Sequence, residues 1–98
     1  MYIWYSFSIM ATAYQIELTR RAARDLGKIQ RGNPKLFQQI MDTIQALGND
    51  PYPEGCVDLG GREGYRVRVR DHRILYSVLE AHLVVEVIRV GPRGDVYK

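Results

Sequence analysis

One stretch of the sequence, residues 64–91, constrains the fold more than any other: GYRVRVRDHRILYSVLEAHLVVEVIRVG. It contains three apolar runs, which are separated only by the short polar breaks Asp71-His72 and Glu80-Ala81. Strands joined by connections this short can pair only antiparallel, because a parallel return needs a dozen or more residues. We therefore predict three adjacent antiparallel strands, from Gly64 to Val69, from Ile74 to Leu79 and from His82 to Val90.

The first of these strands carries apolar and basic residues in strict alternation: Tyr65, Val67 and Val69 alternate with Arg66, Arg68 and Arg70. Side chains on a strand point alternately to the two faces of the sheet. One face is therefore predicted to hold an aromatic ring and two valines, and the other three guanidinium groups. The antiparallel arrangement would also bring Arg73 and Arg93 to the basic face, which we interpret as the functional surface.

Before this stretch the sequence predicts one strand and two helices. Tyr14 to Leu18 alternates apolar and polar residues, as a strand does. Thr19 is a suitable N-cap for a first helix, and Asn33-Pro34 is a suitable start for a second. The apolar positions of the two helices are spaced as single stripes: Ala22, Ala23, Leu26 and Ile29, then Leu36, Phe37, Ile40, Met41, Ile44 and Leu47. Gly48 is expected to end the second helix.

The predicted order is thus β-α-α-β-β-β. Both helical stripes must be buried, and the sheet is the only partner large enough to cover them. We predict an α+β fold in which a helical hairpin packs on a small, twisted, largely antiparallel four-stranded sheet. Residues 49–62 contain two prolines and three glycines, so they are predicted to form a loop.

The apolar residues 1–12 are interpreted as an N-terminal extension, either non-native or disordered, with Met10 as the natural start. The alternatives are a genuine additional strand and an adhesive apolar tail. Residues 13–98 then form a single domain, in keeping with a chain of 98 residues. The apolar run of the extension is too short to span a membrane, which takes roughly 20 residues.

The composition limits the kinds of functional site that the protein can contain. The basic residues are mainly arginine, which recognises phosphate through a planar fork. The single cysteine, Cys56, excludes an internal disulfide and fits a reducing compartment. No zinc-ligand spacing, phosphate-binding glycine loop or nucleophilic serine motif is visible, and we expect neither a metal nor a cofactor. His72 and His82 fit ordinary surface histidines.

A cluster of arginines can still promote RNA cleavage without a protein nucleophile. The 2′-hydroxyl of the RNA attacks its own phosphate, and the protein needs to align that attack and stabilise the developing charge. Two simpler interpretations stay open on the residues alone: a nucleic-acid surface that cleaves nothing, and a solvated basic face of a sheet edge.

Two segments, GYRVRVRDHRILYSV and the ending VIRVGPRGDVY, resemble the RelE branch of the RelE/ParE toxin superfamily, as does the predicted element order. The similarity extends from Tyr14 to Tyr97. It implies a toxin of a type II toxin–antitoxin pair that acts in the cytoplasm. The expected activity is ribosome-dependent, metal-independent cleavage of mRNA in the A site. The expected partners are a cognate antitoxin in a hetero-oligomer, the ribosome and mRNA, with no membrane.

The resemblance also implies roles for five residues: Arg66, Arg68, Arg73, Arg93 and Tyr97. Arg73 and Arg93 would hold the scissile phosphate, and Tyr97 would stack on the attacked nucleotide. A well-known member of the family has lysines at the positions of Arg66 and Arg68. Because arginine effectively cannot lose its proton, the general base is left open, with His72 as one option.

Two other functions are compatible with the same resemblance. A ParE-like toxin would bind DNA gyrase and cleave nothing itself. A catalytically silent protein would bind its antitoxin and act with it as a corepressor.

Overall fold

The computed structural model describes residues 2–5, 13–60 and 64–92, and it consists of two helices and a single sheet. Arg93 and Tyr97 lie outside the described residues. In chain order the elements are β1 (Tyr2–Tyr5), β2 (Gln15–Thr19), α1 (Arg20–Gly32), α2 (Pro34–Leu47), β3 (Val57–Asp58), β4 (Tyr65–Val69), β5 (His72–Leu79) and β6 (Val84–Pro92).

The sheet has six strands in the order β1-β2-β6-β5-β4-β3. Only the β2–β6 pair is parallel, while the four other neighbouring pairs are antiparallel. The predicted α+β class, the helical hairpin and the four strands β2, β4, β5 and β6 are confirmed. The sheet also contains β1 and β3, two outer strands beyond the predicted four. β1 lies within the proposed N-terminal extension, and the division of the chain after residue 12 stays a prediction.

Side-chain caps set the ends of both helices. The hydroxyl of Thr19 accepts a hydrogen bond from the Ala22 amide at 3.1 Å, and the side chain of Asn33 accepts one from the Leu36 amide at 3.2 Å. Such caps satisfy amides that have no partner inside the helix. The predicted end of the second helix at Gly48 is confirmed, because Gly48 directly follows Leu47 as the C-cap of α2, with a right-handed φ of −69°.

The core lies between the helices and one face of the sheet. The predicted stripes supply its helical side, with Leu26, Ile40 and Ile44 fully or almost fully buried. Val67 and Ile74 contribute from the sheet. Since side chains alternate along a strand, the neighbours of Val67 and Ile74 point to the opposite, open face of the sheet. That alternation separates the packed side from the basic side.

β6 has an edge that β2 does not cover, because the β2–β6 pairing ends at the Leu18–Val87 pair. The start of α1 covers part of this edge. The Thr19 hydroxyl donates to the Ile88 carbonyl at 2.7 Å, and the Asp25 carboxylate accepts from the Val90 amide at 3.0 Å and from Nε of Arg89 at 2.9 Å. A register shift between Leu75 and Tyr76 of β5 lies opposite this region. The side chains thus satisfy backbone groups that an open edge would expose to another strand.

The β5–β6 connection differs from the predicted tight turn. Glu80–His82 form one turn of 3₁₀-helix, Leu83 is left-handed with φ 53°, and the strand starts at Val84 rather than at His82. Among the described residues, neither helix has the length and apolar character needed to cross a lipid bilayer.

Candidate functional site

Three of the predicted site residues lie together on the open face of the sheet. Arg68 of β4 and Arg73 of β5 are direct partners in the antiparallel register. Arg66 is two residues before Arg68 on the same strand and therefore on the same face. With Gly55 and Val57, the three arginines line a depression of about 290 Å³. The predicted convergence of these arginines is therefore present in the structure.

The three arginines differ in exposure. Arg68 is exposed and Arg66 is half-buried, whereas Arg73 is only 6% exposed. A guanidinium is seldom buried in this way, because removing a charge from water is costly unless its surroundings compensate. Arg73 thus places a buried cation in the wall of the depression, and the exposed Arg68 is its register partner on the neighbouring strand.

This arrangement suits a phosphate group. Cationic side chains that lie side by side repel one another, and a bound anion relieves that repulsion. Each guanidinium can donate two parallel hydrogen bonds to phosphate oxygens. The depression is shallow and open, as a site for a polymer backbone has to be. Chemically it can hold an anionic group and stabilise negative charge that develops on it.

The predicted loop after α2, for which the sequence indicated no functional role, forms the remaining wall of the depression. Gly55 and Val57 belong to residues 50–58, and Val57 pairs with Arg66 in the register of β3 and β4. The start of this loop is anchored by two tyrosines. The Tyr76 hydroxyl donates to the Pro51 carbonyl at 2.7 Å, and the Tyr52 hydroxyl donates to the Glu80 carboxylate.

Glu80 is also bound by Tyr14, whose hydroxyl donates to it at 2.6 Å. The aromatic rings also contact one another. The rings of Tyr52 and Tyr65 pack edge to face with 5.1 Å between centroids, and the rings of Tyr65 and Tyr76 stack with 5.8 Å between centroids. We call these four tyrosines and Glu80 the tyrosine cluster. It fixes the loop that lines the arginine depression, and no spacing in the sequence indicated it.

Three tyrosines of the cluster and Glu80 have shifted pKa values. Burial raises the pKa of Tyr76 above its usual value, with a further contribution from Cys56. The hydrogen bonds to Glu80 raise the pKa of Tyr14 and Tyr52, and the same bonds lower the pKa of Glu80. The folded state thus favours protonated tyrosines and an ionised glutamate.

We expect the free energy of unfolding to fall as the pH rises above about 10. Tyr14, Tyr52 and Tyr76 ionise near that pH in the unfolded chain but at higher pH in the folded protein, so their contribution is complete below pH 10 and is lost above it. Urea unfolding at half-unit steps from pH 8 to pH 11 measures this loss. Tyr76→Phe should show a shallower decline than the wild type, and an identical decline would contradict the role of Tyr76.

Arg70 does not join the other arginines in the way the alternation predicted. It lies in the two-residue turn between β4 and β5 with φ 57°, so strand alternation no longer applies to it. Its Nε donates to Oε1 of Gln39 on α2 at 2.9 Å. The prediction that strand alternation places Arg70 on the same face as Arg66 and Arg68 is therefore wrong. The hydrogen bond to Gln39 directs its side chain towards α2.

Two predicted site residues, Arg93 and Tyr97, lie outside the described residues, and their roles stay predictions. The strand that leads to them ends at Pro92, and its Gly91 is the register partner of Arg73.

His72 is an unfavourable choice for the general base. It directly precedes Arg73 on β5, so alternation directs it to the helical face rather than to the arginine depression. Its Nδ1 lies 2.9 Å from Oδ1 of Asp71, and this hydrogen bond lowers the pKa of Asp71. Within residues 13–60 and 64–92, no three His, Cys, Asp or Glu side chains form a group that could hold a metal ion.

Known proteins match both the sequence and this fold. The sequence profile of the family described as ParE toxin of type II toxin–antitoxin system, parDE, matches residues 16–97. A protein of Methanocaldococcus jannaschii that carries the provisional name toxin RelE1 is 27% identical over 89 residues, which cover 87% of this chain and 96% of that protein.

Solved structures of RelE toxins share the architecture. A double arginine-to-alanine variant of free Escherichia coli RelE superimposes with a TM-score of 0.73 at 25% identity, covering 87% of this chain and 90% of that one. A chain of the RelBE2 toxin–antitoxin complex from Mycobacterium tuberculosis superimposes with a TM-score of 0.70 at 24% identity, covering 83% and 99%. The fold is therefore RelE-like, and the chain belongs to the ParE toxin family of type II toxin–antitoxin systems, within the RelE/ParE superfamily.

Proposed function

We propose that this toxin is a ribosome-dependent endoribonuclease that cleaves mRNA in the A site. One observation carries the proposal: Arg66, Arg68 and the buried Arg73 converge on a single depression of the open sheet face. A solvated basic face would leave its arginines dispersed and exposed. Convergence with burial of one guanidinium instead favours recognition of a particular phosphate.

In the proposed reaction the message supplies its own nucleophile. The 2′-oxygen forms a bond to phosphorus while the bond from phosphorus to the 5′-oxygen breaks, leaving a 2′,3′-cyclic phosphate and a 5′-hydroxyl. Arg73 and Arg93 hold the phosphate and stabilise its charge, and Arg66 and Arg68 add electrostatic support. Tyr97 stacks on the attacked nucleotide. No metal or cofactor takes part in this scheme.

The proton from the 2′-hydroxyl goes to a group other than these arginines, since a guanidinium does not deprotonate in proteins. The same group or a solvent molecule returns a proton to the leaving 5′-oxygen. Because the ribosome surrounds the A-site codon, it can orient the message and contribute such a group. This assignment is the reason for proposing dependence on the ribosome.

We further propose that the toxin forms a cytoplasmic hetero-oligomer with a cognate antitoxin. RelE relatives have been solved as toxin–antitoxin complexes from Mycobacterium tuberculosis and Escherichia coli, and as a RelE–RelB complex from Pyrococcus horikoshii. An acidic segment of the antitoxin would neutralise the arginine depression.

A second candidate function is binding of DNA gyrase, and the match to the ParE toxin family favours it. Two assays separate the candidates. In the first assay the toxin is added to purified ribosomes and a short message, and the cleavage sites are mapped by primer extension. In the second the toxin is added to gyrase and supercoiled plasmid, and DNA breaks are detected by gel electrophoresis.

We expect new 5′ ends within A-site codons and no gyrase-dependent breaks. Breaks without message cleavage would refute the nuclease. A catalytically silent corepressor would give neither product, and its expression without the antitoxin would not arrest growth.

A further inference from the structure

The arginine depression continues beyond the three arginines that define it. A second depression of about 240 Å³ is lined by Arg68, Arg70, Asp71 and Arg73, so it shares two walls with the first. A third, of about 120 Å³, is lined by Asn33, Lys35, Leu36, Gln39 and Arg70. Arg70 is common to the second and third, so the three depressions lie in succession from the open sheet face, past the β4–β5 turn, to α2, and we call this succession the path.

The path is predominantly basic. Arg68, Arg70 and Lys35 are exposed along it, and Arg73 lies at the end nearest the site. The single acidic residue among its lining side chains is Asp71, whose carboxylate is engaged by Nδ1 of His72. A succession of cations at intervals along an open groove matches a chain of phosphates rather than one isolated anion.

The conformation of Arg70 is an independent indication. Its φ of 57° is left-handed, a region that glycine, asparagine or aspartate usually occupies in such a turn. A long side chain at this position is therefore unfavourable for the turn itself. Backbone strain of this kind concentrates at functional positions. The bond from Arg70 to Gln39 directs the guanidinium along the path, between the sheet and α2.

We propose that this path binds the single-stranded RNA that continues beyond the scissile link, with Arg70 and Lys35 contacting its backbone phosphates. The inference rests on the proposed nuclease function and extends it from one phosphate to several. Arg70 and Lys35 act in holding the message and take no part in the bond that breaks. An acidic protein segment is the competing occupant, and the test includes it.

The experiment measures binding of fluorescein-labelled oligouridylates by anisotropy between 50 and 400 mM NaCl, with 2′-O-methyl groups that block cleavage. One probe has three nucleotides and fits the arginine depression alone, and the other has ten and reaches along the path. The slope of log affinity against log salt is negative, and each lost phosphate contact reduces its magnitude by about 0.7 for single strands. For the ten-nucleotide probe we expect a reduction of about 0.7 in Arg70→Gly and about 1.4 when Lys35→Ala is added.

Three comparisons make the result specific. Arg70→Gly should leave binding of the short probe unchanged and should unfold at the same temperature as the wild type or higher, because glycine removes the strain. Arg70→Lys should keep the wild-type slope. Arg24→Ala, which removes an exposed charge on α1 outside the path, should keep that slope as well.

A wild-type slope for the ten-nucleotide probe in Arg70→Gly would overturn the proposal. So would an equal loss in Arg24→Ala, or a loss in Arg70→Lys as large as in Arg70→Gly. If Arg70→Gly weakened binding of a polyglutamate peptide but left RNA binding unchanged, the path would be assigned to a protein partner and the RNA-binding proposal would be refuted. The nuclease proposal fails separately, if Arg73→Ala cleaves ribosome-bound message at the wild-type rate.

Discussion

Replacement of Arg73 by alanine is expected to lower the rate of message cleavage on the ribosome by about 10²–10³-fold, the usual effect of losing one charge-stabilising donor. Arg73 is almost completely buried beside the exposed Arg68, so its guanidinium is held in place before the message binds. Such preorganisation is what makes a donor effective in a transition state. Neighbouring arginines cannot replace it, because they start from other positions on the sheet.

The effect must be separated from a loss of structure. Arg73→Ala should keep the circular dichroism spectrum of the wild type, since the core lies on the opposite face of the sheet. Arg73→Lys retains the charge without the planar fork and should recover only part of the rate. Arg24→Ala, at an exposed position of α1, should cleave normally. An unchanged rate in a folded Arg73→Ala protein would contradict the role assigned to Arg73.

Replacement of Gly64 by alanine is expected to destabilise the fold by about 3 kcal/mol, a large part of the stability of a small domain. Gly64 precedes β4 with φ 84°, where a side chain costs roughly 1–2 kcal/mol. The added Cβ would also overlap the carbonyl oxygen of Tyr76 and lie 3.1 Å from Oγ of Ser77. Since the first of these atoms is backbone, β4 and β5 would have to move apart. Urea unfolding measures the loss.

Substitutions at two other glycines distinguish the cost of the left-handed backbone from the cost of the steric overlap. Gly60 has φ 83° with open space around its Cβ position, so Gly60→Ala should lose only the conformational part, about 1–2 kcal/mol. Gly32, in α1, has neither constraint, and Gly32→Ala should stabilise the helix by up to about 1 kcal/mol. Equal losses at Gly64 and Gly60 would show that the approach to Tyr76 is unimportant.

The elements of this fold were predictable because local patterns decide them. The alternation in β4, the short breaks on either side of β5 and the capping residues Thr19 and Asn33 all act within a few positions of the chain. The strand pattern also placed Arg66, Arg68 and Arg73 on one face, since alternation is a property of the backbone.

Features that depend on distant contacts were not predictable in the same way. Arg70 follows the alternation in sequence, but the chain turns at that residue, and its partner Gln39 is 31 positions away. The burial of Arg73 arises from its surroundings on the sheet. The tyrosine cluster joins Tyr14, Tyr52 and Glu80, which no spacing relates. The hydrogen bonds from Arg89 and Val90 to Asp25 form because the pairing of β2 with β6 stops before these residues and leaves that edge of β6 open to α1.

The central claim is that the arginines align and stabilise a phosphate that the message's own 2′-hydroxyl attacks. The most direct test is cleavage on purified ribosomes of two messages that differ only in a 2′-deoxynucleotide at the mapped cleavage position. We predict that the all-ribose message is cut to a 2′,3′-cyclic phosphate and a 5′-hydroxyl, while the deoxy-substituted message stays intact there. Cleavage of both messages at similar rates, or of neither, would contradict the account.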